Sequence, residues 1–370
     1  MGNINKEISN IKSTSFKAVK KQGNAPVALS ILDVATTGKG YSAAQAINYS
    51  IELAKLADKR GFARYWVAEH HGMPAVSTSS PAMLLSRLIG ETKQIRLGSG
   101  GMMLPNFPPL VVAEQFGMLE AMAPGRIDLG IGRAPGTNGL TASALRRGNF
   151  DAEDFPEQLH ELLHFLEDDF PAGHPFKDKV FAVPGPGQDR ENGIPRSFES
   201  PSIWLLGSSG YSAQIAGKLG LPFAFAAQLA PENMLFAFEL YKKNFKPSKV
   251  LDAPHIIACF SVFAADNEEE AKIQTHSFSH SMLRMMSGKS YVIPSPEELK
   301  SYEYSISERL TLESWNQKMI YGTADQVVSR LNEFQKISGA NELMIANLGY
   351  SPEGILHSAK LIADAYNMPT

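Results

Sequence analysis

Short apolar, β-branched runs alternate with stretches of helical spacing along residues 26–370, and this rhythm restricts the fold more than any other feature. Strand-like runs fall at 27–34, 64–69, 95–99, 126–131, 202–206, 222–227, 255–264 and 342–347. Helical patterns follow them at 43–60, 80–89, 109–122, 155–166, 212–219, 231–244, 267–286 and 352–366. Ser80-Pro81 is a typical helix opening, and Gly61 a typical stop. Alternating β and α units predict a parallel sheet. Eight of them predict a closed (β/α)8 TIM barrel rather than an open doubly wound sheet. Two excursions, 168–201 and 287–312, interrupt the rhythm and are expected to fold over the barrel mouth as insertion loops at its C-terminal face. Residues 26–370 therefore read as one domain. Residues 1–25 read as a flexible N-terminal extension, with five lysines in its first 22 residues but no apolar signal core.

Charge and cysteine content narrow the partners. With 35 basic and 38 acidic residues the net charge is −3, which offers no electrostatic footprint for nucleic acid or an anionic membrane. No run of 18 apolar residues is present to span a bilayer. Cys259 is the single cysteine, so no internal disulfide forms and a reducing, cytoplasmic setting is expected. Its place in an apolar run marks it as a buried hydrophobe rather than a nucleophile.

In such barrels the active site lies at the carboxyl ends of the strands. Those ends supply Asp33, then Glu69-His70-His71, Ser99-Gly100-Gly101, Arg133, Gly207-Ser208-Ser209-Gly210, Gln228, and Asn347 with Gly349. Glycines where two parallel strands end let backbone approach a flat ligand. Ser208 and Ser209 run straight into a helix, whose free N–H groups suit a phosphate-sized anion; the same residues also describe an ordinary capped helix. Arg133, the one cation at a strand end, can hold a phosphate or an anionic ring, or else pair with Asp33 or Glu69. Arg146 and Arg147 lie just beyond, as candidates to point inward. No other strand end offers histidine or cysteine, so one of His70 and His71 reads as a general base rather than a metal ligand, with no metal expected. His276 and His280 are expected on the outside of their helix. The absence of a strand-end lysine argues against a Schiff-base aldolase.

Several long motifs occur in order: RYWVAEHH at 64–71, IRLGSGGMMLPNFPPLVVAEQF at 95–116, and PGRIDLGIGRAPG at 124–136. WLLGSSGYSAQIAGKLGLPFAFA at 204–226, YGTADQVVSRLNEF at 321–334 and GANELMIAN at 339–347 continue the series. Together they resemble the bacterial luciferase-like monooxygenase family, closest to its flavin-dependent oxidoreductase subgroup with EHH and GRAPG motifs. The resemblance implies a barrel that uses reduced FMN, supplied by a separate flavin reductase, and O2 to oxidise an apolar small molecule such as an aldehyde. F420 is the alternative cofactor, and a non-catalytic flavin-binding barrel the alternative role. It makes His70 the active-site histidine and Gly100-Gly101 a cis peptide behind the flavin ring. It makes Arg133 a flavin contact, and Ser208, Ser209, Gly210 and Tyr211 the phosphate-binding turn. It implies a homodimer paired through helices near the second and third strands. Chemistry with reduced flavin and O2 needs a dry, lidded pocket, for which Met102, Met103, Phe223 and Phe225 are candidate apolar lining.

Overall fold

The computed structural model describes residues 16–145 and 154–370; Arg146 and Arg147 lie outside them. Nine parallel strands form in chain order: β1 (Ala28–Asp33), β2 (Arg64–Val67), β3 (Arg96–Met103), β4 (Ile127–Gly132), β5 (Ser202–Gly207), β6 (Phe223–Ala226), β7 (Ile256–Ala265), β8 (Ile320–Thr323) and β9 (Glu342–Ala346). Neighbours run β6-β5-β4-β3-β2-β1-β9-β7, and β6 pairs with β7 to close the ring. The result is the expected (β/α)8 barrel plus one strand. β8 pairs only with the far end of β7, from Val262↔Ile320 to Ala265↔Thr323. Ten residues long, β7 overhangs the barrel, and β8 lies on that overhang.

Side-chain alternation sorts each strand into two layers. Leu29, Ile31, Tyr65, Val67, Leu97, Ile127 and Leu129 face the helices and form the main core with Phe116, Leu85 and Leu53. Leu32, Trp66, Trp204, Ile257, Cys259 and Met344 face inward and fill the barrel. Burial pushes the Cys259 thiol far above its ordinary pKa, in keeping with a packing role. Helices begin where side chains satisfy their free N–H groups. Ser42 and Gln45 form a capping box on Ala43–Lys59, and Ser295 and Ser305 head similar boxes with Glu298 and Glu308. No described helix is long and apolar enough to cross a membrane.

The barrel floor is ionic. Arg64 donates to Asp128 and to Glu342, each at 2.8 Å, and all three side chains are buried. Arg96 donates to Asp128 at 2.7 Å and His255 to Glu342 at 2.8 Å. Below this layer the Phe16 ring packs 4.6 Å from His255 and 5.7 Å from Trp204, and Lys17 C=O accepts from Arg64. Phe16 and Lys17 thus meet the underside of the barrel, while most of 17–24 is exposed; 1–15 lie outside the described residues.

The two excursions behave differently. Residues 168–201 do not reach the mouth. They pack on the flank of helices Pro109–Met122 and Phe155–Glu167, where Phe170 and Phe176 join Phe165. An aromatic patch on the outer helix layer captures them, so the expected lid is corrected there. Residues 287–312 do meet the mouth: Ile293 C=O accepts from Lys39 N at 2.8 Å, and Tyr291 enters the central hollow. Beyond it, His276 and His280 both bond to the Tyr304 hydroxyl. They lie off the hollow as expected, yet His280 is buried rather than solvated.

Candidate active site

A cavity of about 340 Å³ opens at the carboxyl ends of the strands. His70, Gly100, Gly101, Arg133, Ser208 and Ser209, drawn from four different strand ends, all line it. Gly210 and Tyr211, expected in the same turn, do not. A Cβ on Gly210 would lie 2.8 Å from Leu240 and 3.3 Å from Phe236, so that glycine lets the neighbouring helix approach. Tyr211 instead lays its ring under the Arg133 guanidinium, 4.1 Å from its centroid. Among the described residues no carboxylate pairs with Arg133. Asp33 is engaged by the Tyr65 hydroxyl at 2.7 Å, and Glu69 by other partners. The strand-end salt bridges considered above therefore do not form, and Arg133 stays available to an anion.

The two histidines take separate roles. His70 lines the cavity and donates from Nδ1 to Gly136 C=O at 3.1 Å. A carbonyl only accepts, so Nδ1 carries the proton and Nε2 holds a lone pair. Burial holds the His70 pKa below the ordinary 6.5, with the Gly136 bond opposing and the charge of His71 assisting. His71 turns away and donates from Nε2 to Glu69 at 2.8 Å. Glu69 is fully buried and also accepts from Met103 N at 2.9 Å and Asn106 Nδ2 at 2.7 Å. Asn106 in turn donates to Pro135 C=O, and Thr137 Oγ1 to His71 C=O. This lattice joins the loop after β2 to the loop after β4 and sets the direction of His70.

The glycines serve protein packing as well as access. The Gly100–Gly101 peptide is cis. A Cβ on Gly100 would lie 2.5 Å from Leu32 and 3.1 Å from Trp66, and one on Gly101 3.0 Å from Gly130 C=O. Side chains are excluded there by the barrel interior and by β4, while the backbone itself faces the cavity. Of the four apolar lining candidates only Met103 is in place. Met102, Phe223 and Phe225 point to the helix layer, because successive residues of a strand face opposite sides. The opposite wall was not foreseen. Phe278, Met282 and Met285, spaced as one helix face, line it with Met73, Val76 and Leu348. Their spacing is legible in sequence, but not which way that face turns.

The polar inventory suits an anionic cofactor that also carries donors. The Ser208, Ser209 and Ser212 hydroxyls line the cavity at the start of helix Gly210–Leu219, whose cap residue Ser209 makes no side-chain capping bond. Gln228 Oε1 is buried there without a partner. No carboxylate lines the cavity among the described residues. A larger groove, about 900 Å³, lies between helices Glu268–Met286 and Ala324–Ser338, and holds none of these groups.

Fold and cavity define a (β/α)8-barrel enzyme with its site at the carboxyl ends of the strands. The luciferase-like monooxygenase family matches residues 27–341, and the chain belongs to that family. It is 39% identical over 339 residues to a luciferase-like monooxygenase of Escherichia coli K12, covering 91% of this chain and 96% of that one. It is 34% identical over 325 residues to the N-acetyl-S-alkylcysteine monooxygenase of Bacillus subtilis 168, covering 86% and 92%. The crystal structure of apo-MsnO8 superposes with a TM-score of 0.81 at 32% identity, covering 93% of this chain and all of that one.

Proposed function

We propose that this enzyme binds reduced FMN from a separate flavin reductase and uses O2 to oxidise an uncharged, apolar small molecule, an aldehyde being one candidate. The observation that carries this reading is the convergence of an unpaired Arg133, the Ser208-Ser209 helix start and a neutral His70 on one cavity. Reduced FMN, when bound, supplies the electrons for oxygen chemistry. The chain does the rest. Helix N–H groups and the two serine hydroxyls hold the phosphate, and Gln228 Oε1 accepts from a cofactor hydroxyl. Arg133, braced by Tyr211, offsets negative charge on the ring system. His70 Nε2 takes or positions a proton at the reacting end. The methionine and phenylalanine wall keeps water out. On this reading the EHH and GRAPG residues are the subgroup's site, and the protein acts in the cytoplasm.

Titrating the purified protein with FMN, reduced FMN and F420 tests the cofactor. Oxygen uptake with a flavin reductase, NADH and an aldehyde panel tests the reaction. Tight F420 binding with no need for O2 would establish a deazaflavin dehydrogenase, and FMN binding without turnover a non-catalytic barrel. Arg133→Ala is expected to weaken FMN binding by about ten- to a hundredfold, the worth of a charge-assisted hydrogen bond. Equal affinities in a fluorescence titration would remove Arg133 from the site.

A homodimer fits the surface. Met83 on helix Pro81–Ile89 is 74% exposed, and Met118 and Met122 on Pro109–Met122 are 54% and 50% exposed. These helices follow β2 and β3. Light scattering is expected to give a dimer, and Met83→Glu with Met118→Glu a monomer; a monomeric wild type would contradict the pairing.

A further inference from the structure

Tyr291 reaches the cavity from the segment that follows helix Glu268–Met286. Its side chain packs in one cluster with Ala75, Phe278, Met282 and Ile293, and the residue is only 9% exposed. Its main-chain carbonyl accepts from Ala75 N at 3.2 Å, which ties this segment to the loop carrying His70. The Tyr291 hydroxyl makes no hydrogen bond to any described residue. The hydroxyl is not sealed in the core, so it is a donor left free for a molecule in the hollow that Tyr291 lines.

We propose that Tyr291 is the hydrogen-bond donor that anchors substrate, and that the substrate is uncharged, with one acceptor atom near His70 and an apolar body along the Met73, Phe278, Met282 and Met285 wall. The proposal rests on the reading of this cavity as a chamber shared by cofactor and substrate. At this end His70 Nε2 offers only a lone pair, so the imidazole does not donate to an acceptor. The other side-chain donors on the wall, Arg133, Ser208, Ser209, Ser212 and the Gln228 amide, come from the ends of β4, β5 and β6 and the helix after β5, where they serve the cofactor. Burial pushes the Tyr291 phenol well above its ordinary value, so it keeps its proton and donates throughout the neutral range. A cationic substrate would be desolvated against Phe278 and the methionines with no carboxylate among the described lining residues to pair it, and an anionic one would compete with the cofactor for Arg133, the one arginine or lysine among them. Three unbranched thioethers, at Met73, Met282 and Met285, adapt to bodies of differing shape.

The test uses two probes of nearly equal shape, 2-octanone and 2-methyl-1-octene, which differ by one acceptor oxygen. Each is titrated by ligand-observed NMR into wild type and Tyr291→Phe, with and without FMN. The substitution keeps the ring and removes only the hydroxyl. The preference for the ketone is expected to fall roughly five- to tenfold in Tyr291→Phe, with FMN affinity unchanged. An unaltered preference, or no saturable binding of the ketone to wild type, would overturn the assignment. Failure of wild type to bind FMN would instead overturn the cofactor reading, and the FMN-free titrations would still decide the role of Tyr291.

Discussion

Replacing His70 by alanine is expected to lower substrate-dependent O2 uptake by about 10²–10⁴-fold, the usual contribution of a positioned base, with FMN affinity near that of wild type. The reason is geometric. The Gly136 carbonyl accepts a hydrogen bond from Nδ1–H, so the lone pair at Nε2 is the group left to face the cavity. His70→Asn separates two roles, because its amide N–H can still reach Gly136 while no base remains. Loss of turnover in both variants assigns proton chemistry to His70. Activity retained by His70→Asn alone would reduce the residue to a loop latch. The same burial sets a pH signature. Since the imidazole titrates below the ordinary 6.5, the neutral form persists into mild acid, and the acidic limb of the pH–rate profile lies below that value. A limb above it would show that His70 is not the titrating group.

Asp128→Ala is expected to cost about 3–5 kcal/mol of stability, measured by urea unfolding, because it leaves buried arginines short of a partner. Arg96 would lose its carboxylate and Trp66 Nε1 the acceptor it now reaches at 3.0 Å, while Arg64 would keep Glu342 as its one carboxylate, beside Lys17 C=O. Asp128→Asn restores an acceptor for Trp66 but no charge, and is expected to fall between the two. Burial alone would raise the Asp128 pKa, but Arg64 and Arg96 outweigh it and hold the folded-state value below 3.8. A carboxylate depressed in this way adds stability above its unfolded pKa and loses it as the pH falls through the folded one. The floor is therefore expected to hold at neutral pH and weaken only in strong acid. Wild-type stability in Asp128→Ala would show that the network contributes nothing net.

Much of the polar side of the cavity was legible because it is local. A serine pair before a helix, glycines at strand ends and an arginine after β4 carry their chemistry in adjacent residues. The apolar wall was not. Phe278, Met282, Met285 and Tyr291 belong to a helix and segment far along the chain, and only the fold turns them inward. Local reading also misjudged neighbours within a motif. Met102 and Met103 are adjacent, yet strand parity sends one to the core and the other to the cavity. Tyr211 sits in the phosphate-turn motif, yet it braces Arg133. β8 and the helix Ala324–Ser338 that follows it were absent from the alternation read in the sequence, because four residues, IYGT, are too short a run to stand out as a strand. The 168–201 excursion looked like a lid, since its Gly and Pro content speaks of irregular backbone and says nothing of where that backbone docks.

By itself the sequence determined the barrel, the family and the side chains able to hold an anion, since strand–helix alternation and short motifs are properties of neighbouring residues. Only the tertiary structure decided which histidine faces the cavity, that Arg133 is spared a salt bridge, and which apolar residues wall the cavity. Those outcomes depend on distances between residues from separate strands and loops, and such distances exist only once the ring of strands has closed.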